Sequence, residues 1–238
     1  MPTLQRLFER ALGRVAAEPV TLTCAGRTDA GVHACGQVAH FDTTVTRGLR
    51  GWVLGANSEL PRDASITWAR PVPGHFHARY SAEARTYRYL ISNRLARPAL
   101  LSARTAWVHR PLDQERMQEA AQLLLGEHDF SAFRAAECQA KSPIRRMERL
   151  RIERRGDLVV IEATANAFLH HMMRNIAGLL IAVGRGDASV EHTRQVLLGR
   201  DRTRNAATAP AAGLYLLSVR YPCAFSIPAP ALAEGFPV

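Results

Sequence analysis

The sequence predicts an α+β fold of two lobes, each a largely antiparallel sheet flanked by helices, with a cleft between them. Three observations carry this expectation. Strand-like runs neighbour one another along the chain as often as they neighbour helical runs, which argues against the strict alternation of a doubly wound parallel sheet. A length of 238 residues suits one large domain or two smaller ones. A Pro-rich, aperiodic stretch, RPVPGHFHARYSAE at residues 70–83, supplies a hinge. The expected organisation is an N-terminal lobe over residues 1–78, a C-terminal lobe over 79–225 and a tail over 226–238.

The elements follow in order. Leu4, Leu7, Phe8, Ala11, Leu12 and Val15 recur at helical spacing behind Thr3, a good N-cap, so residues 4–17 form an amphipathic helix. PVTLTCAG (19–26) and GQVAHFDT (36–43) read as strands on either side of a turn, and ASITWARP (64–71) as a further strand. ARTYRYLISN (84–93) alternates as a strand, and residues 113–125, rich in Ala and Leu, form a helix. LRIERRGDLVVIEATA (150–165) reads as a hairpin turning about Arg155 to Asp157. FLHHMMRNIAGLLIAVG (168–184) is a mostly buried helix, 189–198 a short amphipathic one, and GLYLLSVRY (213–221) a final strand.

Composition narrows the function classes. Lys plus Arg number 31 against 21 Asp plus Glu, a formal charge of +10 carried almost wholly by arginine. A polyanionic partner follows, tempered by the arginine usage of GC-rich coding; the planar guanidinium fork suits phosphate. Cys24, Cys35, Cys138 and Cys223 show no C-x-x-C spacing and no histidine at finger-like distance, so neither zinc nor a disulfide framework is expected. There is no signal-like N-terminus and no run of membrane-spanning length, which makes the cytoplasm the expected location and excludes a membrane partner.

One acid stands out. In CAGRTDAGVHACGQVAHF (24–41), Asp29 lies in a turn bounded by Gly26 and Gly31, with Arg27 two residues before it. The glycines let the backbone turn sharply and approach a ligand closely. An R-x-D pair in a turn is otherwise an ordinary surface salt bridge.

The string GRTDAGVHA (26–34) resembles the catalytic loop of the TruA-type tRNA pseudouridine synthases. The likeness continues in RTYRY (85–89), HDFSAF (128–133), ANAFLHHMMRNIAG (165–178) and ATAPAAGLYL (207–216), in the family's order and over nearly the whole chain. The resemblance implies a pseudouridine synthase-like fold and isomerisation of uridine to pseudouridine in the anticodon stem-loop of tRNA, with no cofactor and no metal. It also implies a homodimer with tRNA lying across both subunits. Asp29 matches the catalytic aspartate, whose carboxylate attacks C6 of the ring or C1′ of the sugar, or removes a sugar proton; the residues do not choose among these routes.

The remaining candidates follow from the same match. Arg174 corresponds to the arginine that pairs with the aspartate, favouring its ionised form. Arg27 is expected to engage RNA. Tyr87 corresponds to the tyrosine that stacks on the flipped base, its hydroxyl a further candidate for proton removal at C5. Tyr89 shares its strand face, and only motif register separates the two. Leu214 resembles an apolar residue of the uracil pocket, a role that a core strand residue mimics. His33 braces the Asp29 loop. His170, four residues before Arg174, shares its face or simply packs. His170 and His171, as neighbours on a helix, would point about 100° apart, which argues against a shared metal.

Two other readings are distinguishable. One is a catalytically silent RNA-binding or RNA-chaperone protein that keeps the fold. The other is a phosphodiesterase using Asp29 and the histidines, weakened by the lack of a second carboxylate at metal-ligand spacing. Family members usually carry an opening strand and a Y-D-G…G-W-Q segment ahead of the first helix, whereas this sequence reaches that helix at once. Met1 is then either an internal methionine or the start of a shortened protein. A form carrying the upstream codons is expected to be more stable and more active, since a missing strand exposes the backbone of its neighbours.

Overall fold

The computed structural model describes residues 3–230. They form two compact units, one made of the chain up to Gly26, Val38–Ala82 and Pro222–Ile227, the other chiefly of Arg27–Gln37 and Glu83–Tyr221. Residues 231–238 of the expected tail lie outside the described residues.

The first unit opens with α1 (Leu4–Ala16), whose Thr3 hydroxyl accepts from the Arg6 N–H as an N-cap. Its apolar face, through Leu12 and Ala16, meets Val20, Leu22, Trp52 and Ala56. The two expected strands flanking the turn are present only as short segments, β1 (Thr23–Cys24) paired antiparallel with β3 (Ala39–His40). Between them in sequence, β2 (His33–Ala34) belongs to the other unit. The helix α2 (Leu49–Asn57) was not expected, because Gly48, Gly51 and Gly55 weaken its propensity and no side chain caps it. Packing against α1 supports it instead: a Cβ on Gly55 would stand 3.0 Å from Val15 Cγ2.

The expected strand at 64–71 is absent. Asn57 satisfies the backbone there, its Nδ2 donating to Ile66 O at 2.8 Å and its Oδ1 accepting from Ile66 N at 2.7 Å. One amide side chain thus replaces the partner strand that this segment lacks.

The second unit is built on seven strands. Along the chain come β4 (Ala84–Asn93), β5 (Ala106–Val108), α3 (Gln114–Gln122), β6 (Gly126–Asp129), β7 (Ile144–Arg155) and β8 (Leu158–Ala165). Then follow α4 (Met172–Gly184), α5 (Val190–Gly199) and β9 (Leu214–Arg220). The sheet order is β2-β9-β4-β8-β7-β6, with β5 beside β4. Pairing is antiparallel except for β2 with β9 and β4 with β5, so the α+β expectation of largely antiparallel sheet holds. Tyr89, Ile91, Phe133, Met147, Ile161, Met172 and Ile176 are fully enclosed in the main core between sheet and helices.

The chain passes from one unit to the other between Ala82 and Glu83, where a boundary after residue 78 was expected, and Pro222–Ile227, expected in the C-terminal lobe and tail, clusters with the first unit. The segment Arg27–Gln37, expected in the N-terminal lobe, instead clusters with the second unit. The cause is β2, which sets His33 against Tyr215, followed by Cys35 and Gly36, whose N–H groups both donate to Leu216 O. Gly36 is required there, since a Cβ would come 2.1 Å from Leu217 O. No helix among the described residues is long and apolar enough to cross a membrane.

Candidate active site

Asp29 is presented by a tight turn in which Val32 N–H donates to Asp29 O, with Gly31 at φ +81°. Its carboxylate receives three side chains. Arg174 Nη1 donates to Oδ2 at 2.9 Å, His171 Nε2 lies 3.1 Å from Oδ2, and His170 Nε2 lies 3.2 Å from Oδ1. Arg27, the sequence neighbour, is exposed and forms no ion pair among the described residues.

The way the chain enters α4 brings the histidines here. Helix was expected from residue 168, but α4 begins at Met172 and His171 stands before it at φ 61°, in the left-handed region. That conformation costs about 1–2 kcal/mol for a residue with a side chain. The two imidazoles therefore do not point apart as on a helix: both turn toward the same carboxylate, with ring centroids 4.1 Å apart. His170 is further held by its backbone, its O accepting from Ala135 N and its N–H donating to Cys138 Sγ.

Arg174 is held just as firmly. Its Nε donates to Ala209 O at 2.9 Å, and its own O accepts from Ala209 N. One turn on, a Cβ at Gly178 would stand 2.0 Å from Ala207 O, so glycine lets α4 lie against this segment. The buried Asn175 ties the helix down, donating to Phe133 O and accepting from Arg202 and Thr208.

Burial lowers the His171 pKa below its ordinary value; His170 and Arg174 add to the shift, and Asp29 opposes it. At neutral pH its imidazole is therefore uncharged and suited to donating an N–H to Asp29. The donor atoms of Asp29, His170 and His171 all lie within 4.8 Å of one another, close enough to hold a metal ion. The Arg174 guanidinium on Oδ2 opposes a second cation at that carboxylate.

Tyr87 lies edge-on to Phe168, with ring centroids 4.9 Å apart. The pairing of β4 with β9 shifts register between Thr86 and Tyr87, where Leu217 is the extra residue on β9, while β4 itself pairs with β8 without interruption. Burial pushes the Tyr87 phenol up to about 12; Arg85 opposes this and the Asp29 charge adds to it. Tyr89, on the same face, is fully buried and donates to Pro210 O at 2.7 Å, so its hydroxyl is committed to the core. Phe168 joins the site although only the string ANAFLHHMMRNIAG points to it, as an aromatic two residues before the histidines.

Leu214 opens β9 beside Tyr89 and is buried in the main core. His33 stacks on Tyr215 at 4.6 Å, with Nε2 3.0 Å from Ala103 O, so its contacts fasten β2 rather than reach Asp29. The structure thus gathers Asp29, Arg174, His170 and His171, with Tyr87 close enough to feel the Asp29 charge.

A family model described as tRNA pseudouridine synthase matches residues 1–81 and 120–222. A protein named tRNA pseudouridine synthase A from Pseudomonas aeruginosa is 54% identical over 236 residues, covering 99% of this chain and 83% of that protein. Proteins of the same name from Vibrio cholerae serotype O1 and Methylococcus capsulatus are 53% and 54% identical, covering 95% and 99% of this chain and 86% and 87% of their own lengths.

Proposed function

Because the chain belongs to the tRNA pseudouridine synthase family, we propose that it isomerises uridine to pseudouridine in the anticodon stem-loop of tRNA, with Asp29 as nucleophile. The observation that carries this reading is a single carboxylate held by one guanidinium and two imidazoles beside an aromatic pair.

The chemistry matches those groups. The N1–C1′ bond breaks and C5 joins C1′; the C5 proton is released to water and N1 takes a proton from it, so every heavy atom of the uracil is retained and no second reactant is consumed. A carboxylate is needed in its ionised form, and Arg174 with two imidazole N–H groups orients it. Tyr87 and Phe168 offer ring surface to a base that has left its stack. Burial pushes the Tyr87 phenol up to about 12, which disfavours the phenolate and leaves stacking as the role best suited to its ring. Arg27, exposed and without an acidic partner among the described residues, is free to meet RNA. On the same reading the enzyme acts in the cytoplasm as a homodimer that holds one tRNA across both subunits.

Tritium release from tRNA labelled at uridine C5 tests the proposal. Wild type should release tritium, which a silent RNA-binding protein would not. Asp29→Asn should abolish release while tRNA affinity stays within a few-fold, because one neutralised acid barely alters a phosphate-driven interface. Residual turnover above about a hundredth of wild type would remove Asp29 from the nucleophilic role.

A further inference from the structure

The second unit carries a cluster of arginines that the Asp29 chemistry leaves unused. Arg134, just after the turn Ser131–Phe133, donates through Nη2 to Cys138 O at 2.5 Å and Ala140 O at 3.0 Å. Arg145, on β7, donates through Nη1 to Ser142 O and Ile144 O, and its buried Nε has no partner among the described residues. Arg85, on β4, donates to Asn166 O. Neither Arg134 nor Arg145 forms an ion pair among the described residues. Elsewhere on the same sheet arginines are matched with acids: Arg88 and Arg149 with Glu162, and Arg155 with Glu153.

The three guanidinia are close enough to repel. The Arg145 pKa is lowered by burial, and further by Arg134 and Arg85, with only the Cys138 thiol opposing. Arg134 and Arg145, like charges with no ion pair among the described residues, cost stability unless a multivalent anion joins them. The cluster also borders the site. Arg85 and Tyr87 share one face of β4 at a spacing of about 7 Å. The loop that Arg134 ties down supplies Cys138 Sγ to the His170 N–H, and Asn166, which receives Arg85, leads through Phe168 into His170.

We propose that Arg85, Arg134 and Arg145 form a clamp for the RNA backbone phosphate next to the nucleotide whose base lies against Tyr87. This rests on the isomerase reading and adds the phosphate subsite that would hold the flipped nucleotide over Asp29. Carbonyl hydrogen bonds pre-set the Arg134 and Arg145 guanidinia without neutralising them, so their charge remains for the anion.

Filter binding of tRNA over a range of salt tests the clamp. Arg134→Gln and Arg145→Gln should each weaken binding about five- to eightfold at about 0.1 M salt, and each should lower the log–log salt slope by about one. Arg145→Lys, which keeps the charge, should retain the wild-type slope. An unchanged slope in the double Gln variant overturns the clamp, and so does a Lys variant that loses as much slope as Gln, which would mark a packing role. Tritium release by wild type is measured in parallel. Slope changes as expected without tritium release would support the clamp while overturning the isomerase reading, whereas release with unchanged slopes would overturn the clamp alone.

Discussion

Arg174→Ala separates chemistry from binding most sharply. The side chain is 16% exposed and makes two hydrogen bonds, to Asp29 Oδ2 and to Ala209 O, both at 2.9 Å. A hydrogen bond to a charged group contributes about 1.5–3 kcal/mol, but Asp29 is 26% exposed and keeps two imidazoles, so we expect a net loss of about 1–2 kcal/mol. For a protein of this size that lowers Tm by roughly 2–8 °C. The effect on rate is larger. Without the guanidinium the carboxylate loses both its counter-charge and its strongest orienting donor, which should cost about 10²–10³-fold in single-turnover tritium release at saturating tRNA. The tRNA Kd should change less than about threefold, because the guanidinium is spent on Asp29 and Ala209 and not on phosphate. Arg174→Lys should fall between, since one compact ammonium cannot serve both acceptors. A rate unchanged at saturating tRNA, with the loss confined to Kd, would refute the reasoning and make Arg174 a phosphate ligand.

On the proposed stacking role, Tyr87→Phe should retain most of the single-turnover rate while Tyr87→Leu loses more than about tenfold; equal losses in the two variants would assign the work to the hydroxyl. His171 provides a pH test through stability. Its folded pKa lies below 6.5, so the unfolded chain takes the proton more readily, and the stability held by the neutral imidazole is complete above 6.5 and lost as pH falls through the folded value. The Tm advantage of wild type over His171→Gln should therefore shrink as pH drops from about 7.5 to about 5. An advantage that grows instead would mean that an imidazolium–Asp29 ion pair dominates.

What could be read in the sequence was what local periodicity encodes. The first helix, the strand at Ala84–Asn93, the hairpin ending in Ala165 and the final strand each announce themselves within a dozen residues. What could not be read depends on distant partners. Leu49–Asn57 is helical because Gly55 admits Val15, and the strand expected at 64–71 is replaced by the Asn57 clasp on Ile66. His33–Ala34 becomes a strand only by lying alongside Tyr215 and Leu216, and that pairing carries the Asp29 turn into the second unit.

The site divides along the same line. Asp29, Arg174 and Tyr87 were identified by motif register, and composition alone would have left Tyr87 and Tyr89 equivalent. The burial of Tyr89 and its bond to Pro210 break that tie, because a tyrosine whose hydroxyl is spent inside the core cannot also meet a base. His170 meets the same carboxylate as Arg174, while the expected separation of His170 from His171 fails because it applies a helical angle to residues that precede the helix. A hydrophobic period running unbroken from Phe168 hides a change of backbone sign at His171, since side-chain polarity says nothing about φ. Had the helix begun at Phe168, the imidazoles would point about 100° apart and only His170, four residues before Arg174, would share that arginine's face. The left-handed residue, at a cost of about 1–2 kcal/mol, brings His171 onto the same carboxylate, which is then held from three sides.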